Sequence, residues 1–209
     1  MKNKLEILGM ILFVVMFVYS MAACKSDDEN NKDSSTTISS SSLGENVDLT
    51  FSGVKYQNGD PVNGTLDFSY LGVGEPITKY IPNSEVKITD GILKLKLGTP
   101  LPTALIDADD VFPGWGLNIN PSDLKLFGIE VFVDKDDNYE IAWHKNMTIV
   151  VFLFYANKDA TVSGTAFGKT NYDLELKRGW NTVLGYPEDN DSCFTGIPDS
   201  SFKWTVGNF

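Results

Sequence analysis

From Val47 onward, the chain is a series of short segments in which apolar and polar residues alternate, separated by Gly, Pro, Asn and Asp. The clearest is Ile92–Leu97 (ILKLKL), whose strict alternation predicts a β-strand with Lys94 and Lys96 facing outward. No segment in this part of the chain sustains the apolar period of about 3.6 residues that an amphipathic helix needs. The pattern therefore predicts an all-β fold.

A two-sheet β-sandwich, of immunoglobulin-like or transthyretin-like type, is the simplest fold that buries one face of each such strand. We therefore predict a single sandwich domain over residues 47–209. Roughly ten strands joined partly by hairpin turns are expected. The segments that predict them are 47–56, 64–72, 85–88, 92–97, 127–133, 139–143, 147–156, 160–167, 172–177, 180–186 and 201–206.

Two segments depart from simple alternation. Residues 147–156 (MTIVVFLFYA) are almost all apolar but too few to cross a membrane as a helix, which predicts a central strand covered on both faces and the best-buried strand of the domain. Residues 120–123 (NPSD) are the only helix-start signal, a capping residue followed by Pro, and predict at most one turn.

The first 23 residues have the parts of a secretory signal: Lys2 and Lys4, an apolar run over residues 7–19, and small residues before Cys24. Ala22-Ala23-Cys24 resembles a bacterial lipobox. The resemblance implies cleavage before Cys24 and diacylation of its thiol, so that a lipid anchors the protein to a membrane. The alternative is an uncleaved spanning helix, which needs about 20 apolar residues.

Residues 24–46 contain the cysteine and then a polar stretch rich in Ser and Asp, which cannot bury enough apolar surface to fold and predicts a flexible tether. About twenty such residues reach roughly 25 Å. The acidic residues 26–29 (SDDE) resemble the signal that sends some lipoproteins to the cell surface. We expect the protein at the outer membrane or the cell surface.

The net charge of −11 comes from 28 acidic and 17 basic side chains. Such a surface repels phosphate backbones and anionic headgroups, so we expect no nucleic-acid partner and attachment to the membrane through the lipid alone. Cys193 is the only cysteine besides Cys24. It follows two polar residues, Asp191-Ser192, and is expected to be a buried or merely tolerated thiol rather than a nucleophile, with pairing to a cysteine of another molecule as the alternative.

Two segments resemble parts of known proteins. Residues 51–68 (FSGVKYQNGDPVNGTLDF) are similar to the opening hairpin of carboxypeptidase-regulatory-like, transthyretin-like domains, and residues 89–97 resemble that family's second hairpin. The resemblance implies a sandwich and no particular activity. Residues 174–181 (LELKRGWN) are similar to a hairpin of bacterial lipoproteins with the motif KRGWN, in which Gly179 would supply a positive φ and Trp180 would cap the core.

The acidic segment 134–140 (DKDDNYE) is a candidate calcium site, because Asp134, Asp136, Asn138 and Glu140 place oxygen ligands at alternate positions. Against this interpretation, the helix-loop-helix calcium loop needs Gly at its sixth position, where Tyr139 stands. An Asp/Asn-rich turn between two strands is also expected for backbone reasons alone. Calcium is the only cofactor that the sequence suggests.

Trp115 lies between two glycines (PGWG), and this turn-like setting predicts an exposed ring that could stack on a sugar. The other three tryptophans are expected in the core. No catalytic residues are predicted: His144 is the only histidine, and no Gly-x-Ser-x-Gly motif or phosphate-binding glycine loop occurs.

Two functions remain. The first is a membrane-anchored β-sandwich that binds a protein or a glycan or acts structurally, and we expect this rather than an enzyme. The alternative is a glycan hydrolase that uses two facing carboxylates, whose separation a sequence does not reveal.

Overall fold

The structure is a computed structural model. It describes residues 40–56, 59–62, 64–69, 77–133, 139–145, 149–166, 168, 170–186 and 192–207. Cys24, the signal segment and most of the tether lie outside these residues, so lipidation stays a prediction. Within the described ranges, the longest α-helix has four residues and no helix is long and apolar enough to cross a bilayer.

Strands dominate the described chain, with one short α-helix and two 3-10 turns at Ile77–Lys79 and Pro102–Ala104. The elements are β1 (Ser42–Gly44), β2 (Val47–Phe51), β3 (Lys55–Tyr56), β4 (Gly64–Ser69), β5 (Glu85–Thr89), β6 (Ile92–Leu97), β7 (Ile106–Asp107), α1 (Ala108–Val111), β8 (Asn118–Asn120), β9 (Lys125–Val133), β10 (Tyr139–Lys145), β11 (Ile149–Ala156), β12 (Ala160–Ala166), β13 (Thr170–Leu176), β14 (Gly179–Tyr186), β15 (Ser192–Thr195) and β16 (Lys203–Gly207).

The strands form the predicted β-sandwich. The smaller sheet has the order β2-β6-β5-β4, and β4 continues into the larger sheet because its second half pairs with β9. The larger sheet runs from β9 through β11, β14, β15, β13 and β12 to β8. Strand β10 pairs with β9 and β11 and also with β16, which in turn pairs with β3. The all-β prediction is therefore confirmed.

The first core fills the space between the two sheets. Alternating residues of β6 point inward and are almost completely buried, because successive side chains of a strand face opposite sides. Burying each large side chain contributes about 1.5–3 kcal/mol. The buried members include Val47, Phe51, Ile88, Leu93, Leu95 and Leu97 from the smaller sheet, and Phe127, Ile129, Trp143, Val151, Leu153, Tyr155, Trp180, Leu184 and Trp204 from the larger.

A second core lies on the opposite face of the central strands. Strand β12 follows β11 after three residues, yet β12 pairs with β13 and β8 rather than with β11. The same holds for β13 and β14, which two residues connect. Residues 157–159 and 177–178 are therefore arches, by which we mean connections between strands that do not pair with each other. The two arches place β12 and β13 over β11 and β14. They enclose Leu124, Leu126, Ala156, Val162, Leu174, Leu176 and Val183, with Phe112 and Trp115 beside α1.

The prediction of a central strand covered on both faces is confirmed for β11. Val151, Leu153 and Tyr155 belong to the first core, while Ala156 belongs to the second, with Phe152 and Phe154 packed against it. The prediction that this is the best-buried strand is wrong, because every residue from 179 to 185 of β14 is buried. Strand β14 has neighbours on both sides, and β1 adds a further pairing at its start.

Two local predictions have different outcomes. The hairpin at 89–92 is confirmed: Asp90 and Gly91 have φ of 49° and 70°, as a two-residue type I′ turn requires. Residues 120–123 form only a turn, in which the Leu124 N–H bonds the Pro121 carbonyl at 3.2 Å. The helix is instead α1, which no helix signal in the sequence precedes. Burial of Ala108 and Phe112 in the second core favours it there.

The KRGWN segment is not a hairpin, because β13 and β14 pair with other strands and not with each other. Its glycine does have the expected positive φ, 103° at Gly179, and the Trp180 ring is completely buried in the first core. The hairpin prediction failed because a Gly-centred turn allows an arch as well as a hairpin, and only pairing with distant strands decides between them.

Candidate binding surface

The predicted calcium ligands are not brought together by any described geometry. Asp134, Asp136 and Asn138 lie outside the described residues, and Glu140 is described only as a backbone position of β10, opposite Phe132 and Gly207. In the part of the chain that the structure describes, no group of three or more His, Cys, Asp or Glu side chains is placed to hold a metal ion. Calcium binding therefore stays a prediction.

The predicted exposure of Trp115 is wrong. Its side chain is 8% exposed and packs against Phe112 and Tyr172, with ring centroids 5.3 and 5.7 Å away. The turn-like PGWG sequence let the chain fold back so that the ring closes the second core. A site at which Trp115 stacks on a sugar requires an exposed ring, so the structure gives this prediction no support.

The other three tryptophans are in the first core, as expected. Trp143 and Trp204 lie side by side on β10 and β16, stacked with centroids 5.3 Å apart, and Phe51 tilts against both. The Trp180 Nε1–H donates to the Gly98 carbonyl at 3.0 Å. Among the described residues, Trp204 Nε1 is the buried side-chain nitrogen that has no hydrogen-bond partner. These rings hold the sandwich together.

His144 is a buried structural residue. It is 8% exposed in β10, and its Nε2 lies 3.0 Å from the Thr205 hydroxyl of the neighbouring strand. Burial lowers the pKa of His144 to about 4, and the positive charge of Lys203 adds to this effect. The ring is therefore neutral near pH 7.

Several acidic side chains are engaged by lysine or arginine on the surface. Hydrogen bonds from the Arg178 N–H and the Lys177 ammonium hold the pKa of Asp159 below its usual value. This carboxylate joins the two arches. The other described ion pairs are Asp107–Lys125, Asp123–Lys158, Asp199–Lys145 and Glu45–Arg178. These contacts connect segments of the fold, which is a structural role.

Three lysines on the outer face of the smaller sheet form the remaining charged feature, which we call the lysine face: Lys87, Lys94 and Lys96. Lys87 of β5 stands directly opposite Lys94 of β6, and Lys96 is two residues further along β6. All three are exposed. In an antiparallel pair the Cβ atoms of opposite residues are about 4.5–5.5 Å apart, so the Lys87 and Lys94 side chains start close together.

The residues that stand opposite Lys96 and those that stand opposite Lys94 differ in charge. Lys96 stands between Asp48 of β2 and Glu85 of β5, which are opposite it on either side. Lys94 stands between Thr50 and Lys87. None of the ion pairs in the described parts of the chain involves Lys87, Lys94 or Lys96. Like charges directly opposite each other destabilise a sheet, so the Lys87–Lys94 pair opposes the pairing of β5 with β6.

The sequence alone revealed two of the three lysines of this face. Alternation in ILKLKL predicted outward Lys94 and Lys96, and the structure confirms both. Lys87 was missed because its position opposite Lys94 depends on the type I′ turn, which sets the register of the hairpin. The DG dipeptide at 90–91 was the signal that could have given this register.

Comparisons with known proteins add nothing to the site: no protein-family model, curated protein or solved structure matches this chain.

Proposed function

We propose that the protein is a lipid-anchored binding module of the outer membrane or cell surface, whose contact surface is the lysine face. The single observation that carries the proposal is the Lys87–Lys94 pair. Two lysines stand directly opposite each other on neighbouring strands, and neither takes part in an ion pair in the described structure of a protein whose net charge is −11. An anionic ligand would relieve the repulsion between them.

The strands beneath the face support this role. Leu93, Leu95 and Leu97 are at most 1% exposed and fix β6 on the first core, so the backbone that carries Lys94 and Lys96 is held in place. A ligand then orders only flexible side chains, which lowers the entropic cost of binding. The lipobox resemblance and the polar tether support display of the sandwich away from the membrane.

The hydrolase alternative has no described observation in its favour. It requires two carboxylates that face each other across a cleft. The acidic side chains with described partners instead form ion pairs that connect strands and arches. We therefore propose binding and no catalysis.

Binding to a defined polyanion tests the proposal. Full-length protein, solubilised with its anchor in detergent, is titrated with fluorescent, sparsely substituted carboxymethyl-dextran and with neutral dextran. We expect carboxymethyl-dextran alone to bind, with affinity that falls as salt rises. Lys87→Gln/Lys94→Gln should bind about tenfold more weakly, because each lost charge contact costs roughly 0.5–1 kcal/mol.

The matched control is Lys203→Gln, which removes an exposed lysine from β16 in the larger sheet. It should bind as the unaltered protein does. Equal binding by all three proteins, or no binding by any, would show that the lysine face is not a contact surface.

A further inference from the structure

We infer that the partner of the lysine face is an acidic polysaccharide, in which carboxylate or phosphate groups are separated by neutral, hydroxyl-bearing sugar units. This inference rests on the proposed function and names its ligand class. It follows from the pattern of charges on the face.

The face consists of two rows with opposite character. One row crosses the strands as Thr50, Lys94 and Lys87, and the next row crosses them as Asp48, Lys96 and Glu85. The rows are two residues apart along β6, which is about 6.5–7 Å. The first row is positive, while the second carries a lysine between two carboxylates.

The first row suits a single anionic group. A lysine ammonium is a compact point charge with three donors, and two of them side by side can share one carboxylate or phosphate. The second row suits a neutral polar group, because Asp48 and Glu85 accept hydrogen bonds from hydroxyls. A ligand that fits both rows has an acid group followed at short distance by uncharged hydroxyls.

This pattern disfavours the other common polyanions. An acidic peptide or a layer of anionic headgroups presents negative charge at close spacing across the whole face. Such a partner would meet the carboxylates of Asp48 and Glu85 as well as the lysines, and the repulsion would oppose binding. Both carboxylates are exposed, so a docked partner cannot avoid them.

A panel of soluble probes tests the ligand class with the same detergent-solubilised protein. The probes are hyaluronate (one carboxylate on every second sugar, with a neutral sugar between), poly-glutamate as the acidic peptide, and glycerophosphoglycerol as the soluble headgroup of an anionic lipid. We expect hyaluronate to bind about tenfold more tightly than poly-glutamate, and Lys87→Gln/Lys94→Gln to lose this binding. Lys203→Gln is the control, and unchanged thermal melting shows that each variant is folded.

A second variant tests the role of the carboxylates directly. In Asp48→Asn/Glu85→Gln the repulsive charges are gone, so poly-glutamate should bind about as tightly as hyaluronate. If poly-glutamate or the headgroup already binds the unaltered protein as well as hyaluronate does, the ligand class is wrong and the binding role is retained. If no probe binds, sparsely substituted carboxymethyl-dextran included, the proposed function itself fails.

Discussion

At the residue scale, the Asn181 side chain makes the hydrogen bonds that hold the second arch, between β13 and β14, in place. It is completely buried, and its Oδ1 accepts from the Lys177 N–H at 2.9 Å. Its Nδ2 donates to the carbonyls of Lys177 and Gly179, each at 2.8 Å. One amide therefore satisfies backbone groups that β13 and β14 leave unpaired where the chain turns between them.

We expect Asn181→Ala to lower the free energy of unfolding by about 2–4 kcal/mol, because it leaves buried backbone donors and acceptors without partners. Urea denaturation measures the change. Asn118→Ala, at an exposed position of β8, should stay within about 0.5 kcal/mol of the unaltered protein. Similar losses in both variants would contradict the special role of Asn181.

The second residue-scale prediction concerns pH. The pKa of His144 is about 4 in the fold and 6.5 in an ordinary setting, so the unfolded chain takes up a proton that the folded chain refuses. This contribution to stability is complete above pH 6.5 and is lost as pH falls from 6.5 towards 4. The loss by pH 5 should be roughly 2 kcal/mol.

Comparing urea denaturation at pH 7 and pH 5 checks this loss. In His144→Gln it should nearly disappear, because Gln does not titrate. The carboxylates of Asp123, Asp159 and Asp199 do not confuse the comparison. Their pKa values are lowered from 3.8, so their stabilising effect is lost only in more acidic solution. A loss of the same size in His144→Gln would rule out the histidine as its source.

At the element scale, β1 places part of the expected tether inside the sandwich. Ser42 and Gly44 pair with β14, the Ser41 carbonyl accepts from the Thr182 N–H at 2.8 Å, and Leu43 packs against the first core. The ordered body therefore begins before Val47, at least five residues earlier than the change in composition suggested. Polar, serine-rich sequence can join a sheet because strand pairing uses backbone groups.

We expect a chain that starts at Val47 to be less stable than one that starts at Ser40. Removing β1 takes away its bonds to β14 and the contacts of Leu43, which together should cost roughly 2–3 kcal/mol. For a domain of this size that lowers the melting temperature by about 5–10 °C. Calorimetry of the two chains measures this difference in melting temperature. Coincident melting curves would show that β1 does not stabilise the fold.

Gly179 explains why β1 can lie so close to β14. A Cβ at this position would be 2.5 Å from the backbone carbon and oxygen of Gly44, and the φ of 103° is itself unfavourable for other residues. Gly179→Ala should therefore be destabilised by more than Gly114→Ala. Gly114 has a φ of 69°, but a Cβ there would meet nothing within 4 Å.

The difference between the two variants in thermal melting measures the contact with β1. In the chain that starts at Val47, Gly44 is absent, so the excess cost of Gly179→Ala should shrink. If the excess cost is the same in both chains, β1 is not what requires a glycine at this position.

At the scale of the whole molecule, the buried side chains that stabilise the fold and the lysines of the lysine face lie in different parts of the structure. Two cores on opposite faces of β11 and β14 provide the stability, and ion pairs connect the arches around them. The smaller sheet gives one face to the first core and presents the lysine face on its other side. The contact surface that we propose is therefore the side of the smaller sheet that faces away from the first core.

The anchor is tested on the whole protein. Radiolabelled palmitate should enter the unaltered chain and should not enter Cys24→Ala, because diacylation requires the cysteine thiol. The lipid adds about 0.8 kcal/mol of membrane affinity per buried methylene, so the variant should also leave the membrane fraction. Equal labelling of the two proteins would contradict the lipobox interpretation.

The amino-acid sequence by itself determined the all-β class, most strand positions and the outward Lys94 and Lys96. These follow from side-chain alternation and turn residues, which act over a few neighbouring positions. Only the tertiary structure decided that 177–181 makes an arch, that Trp115 is buried and that β1 belongs to the sheet. Each of these depends on pairing or packing between segments distant along the chain, and local pattern carries no information about such long-range choices.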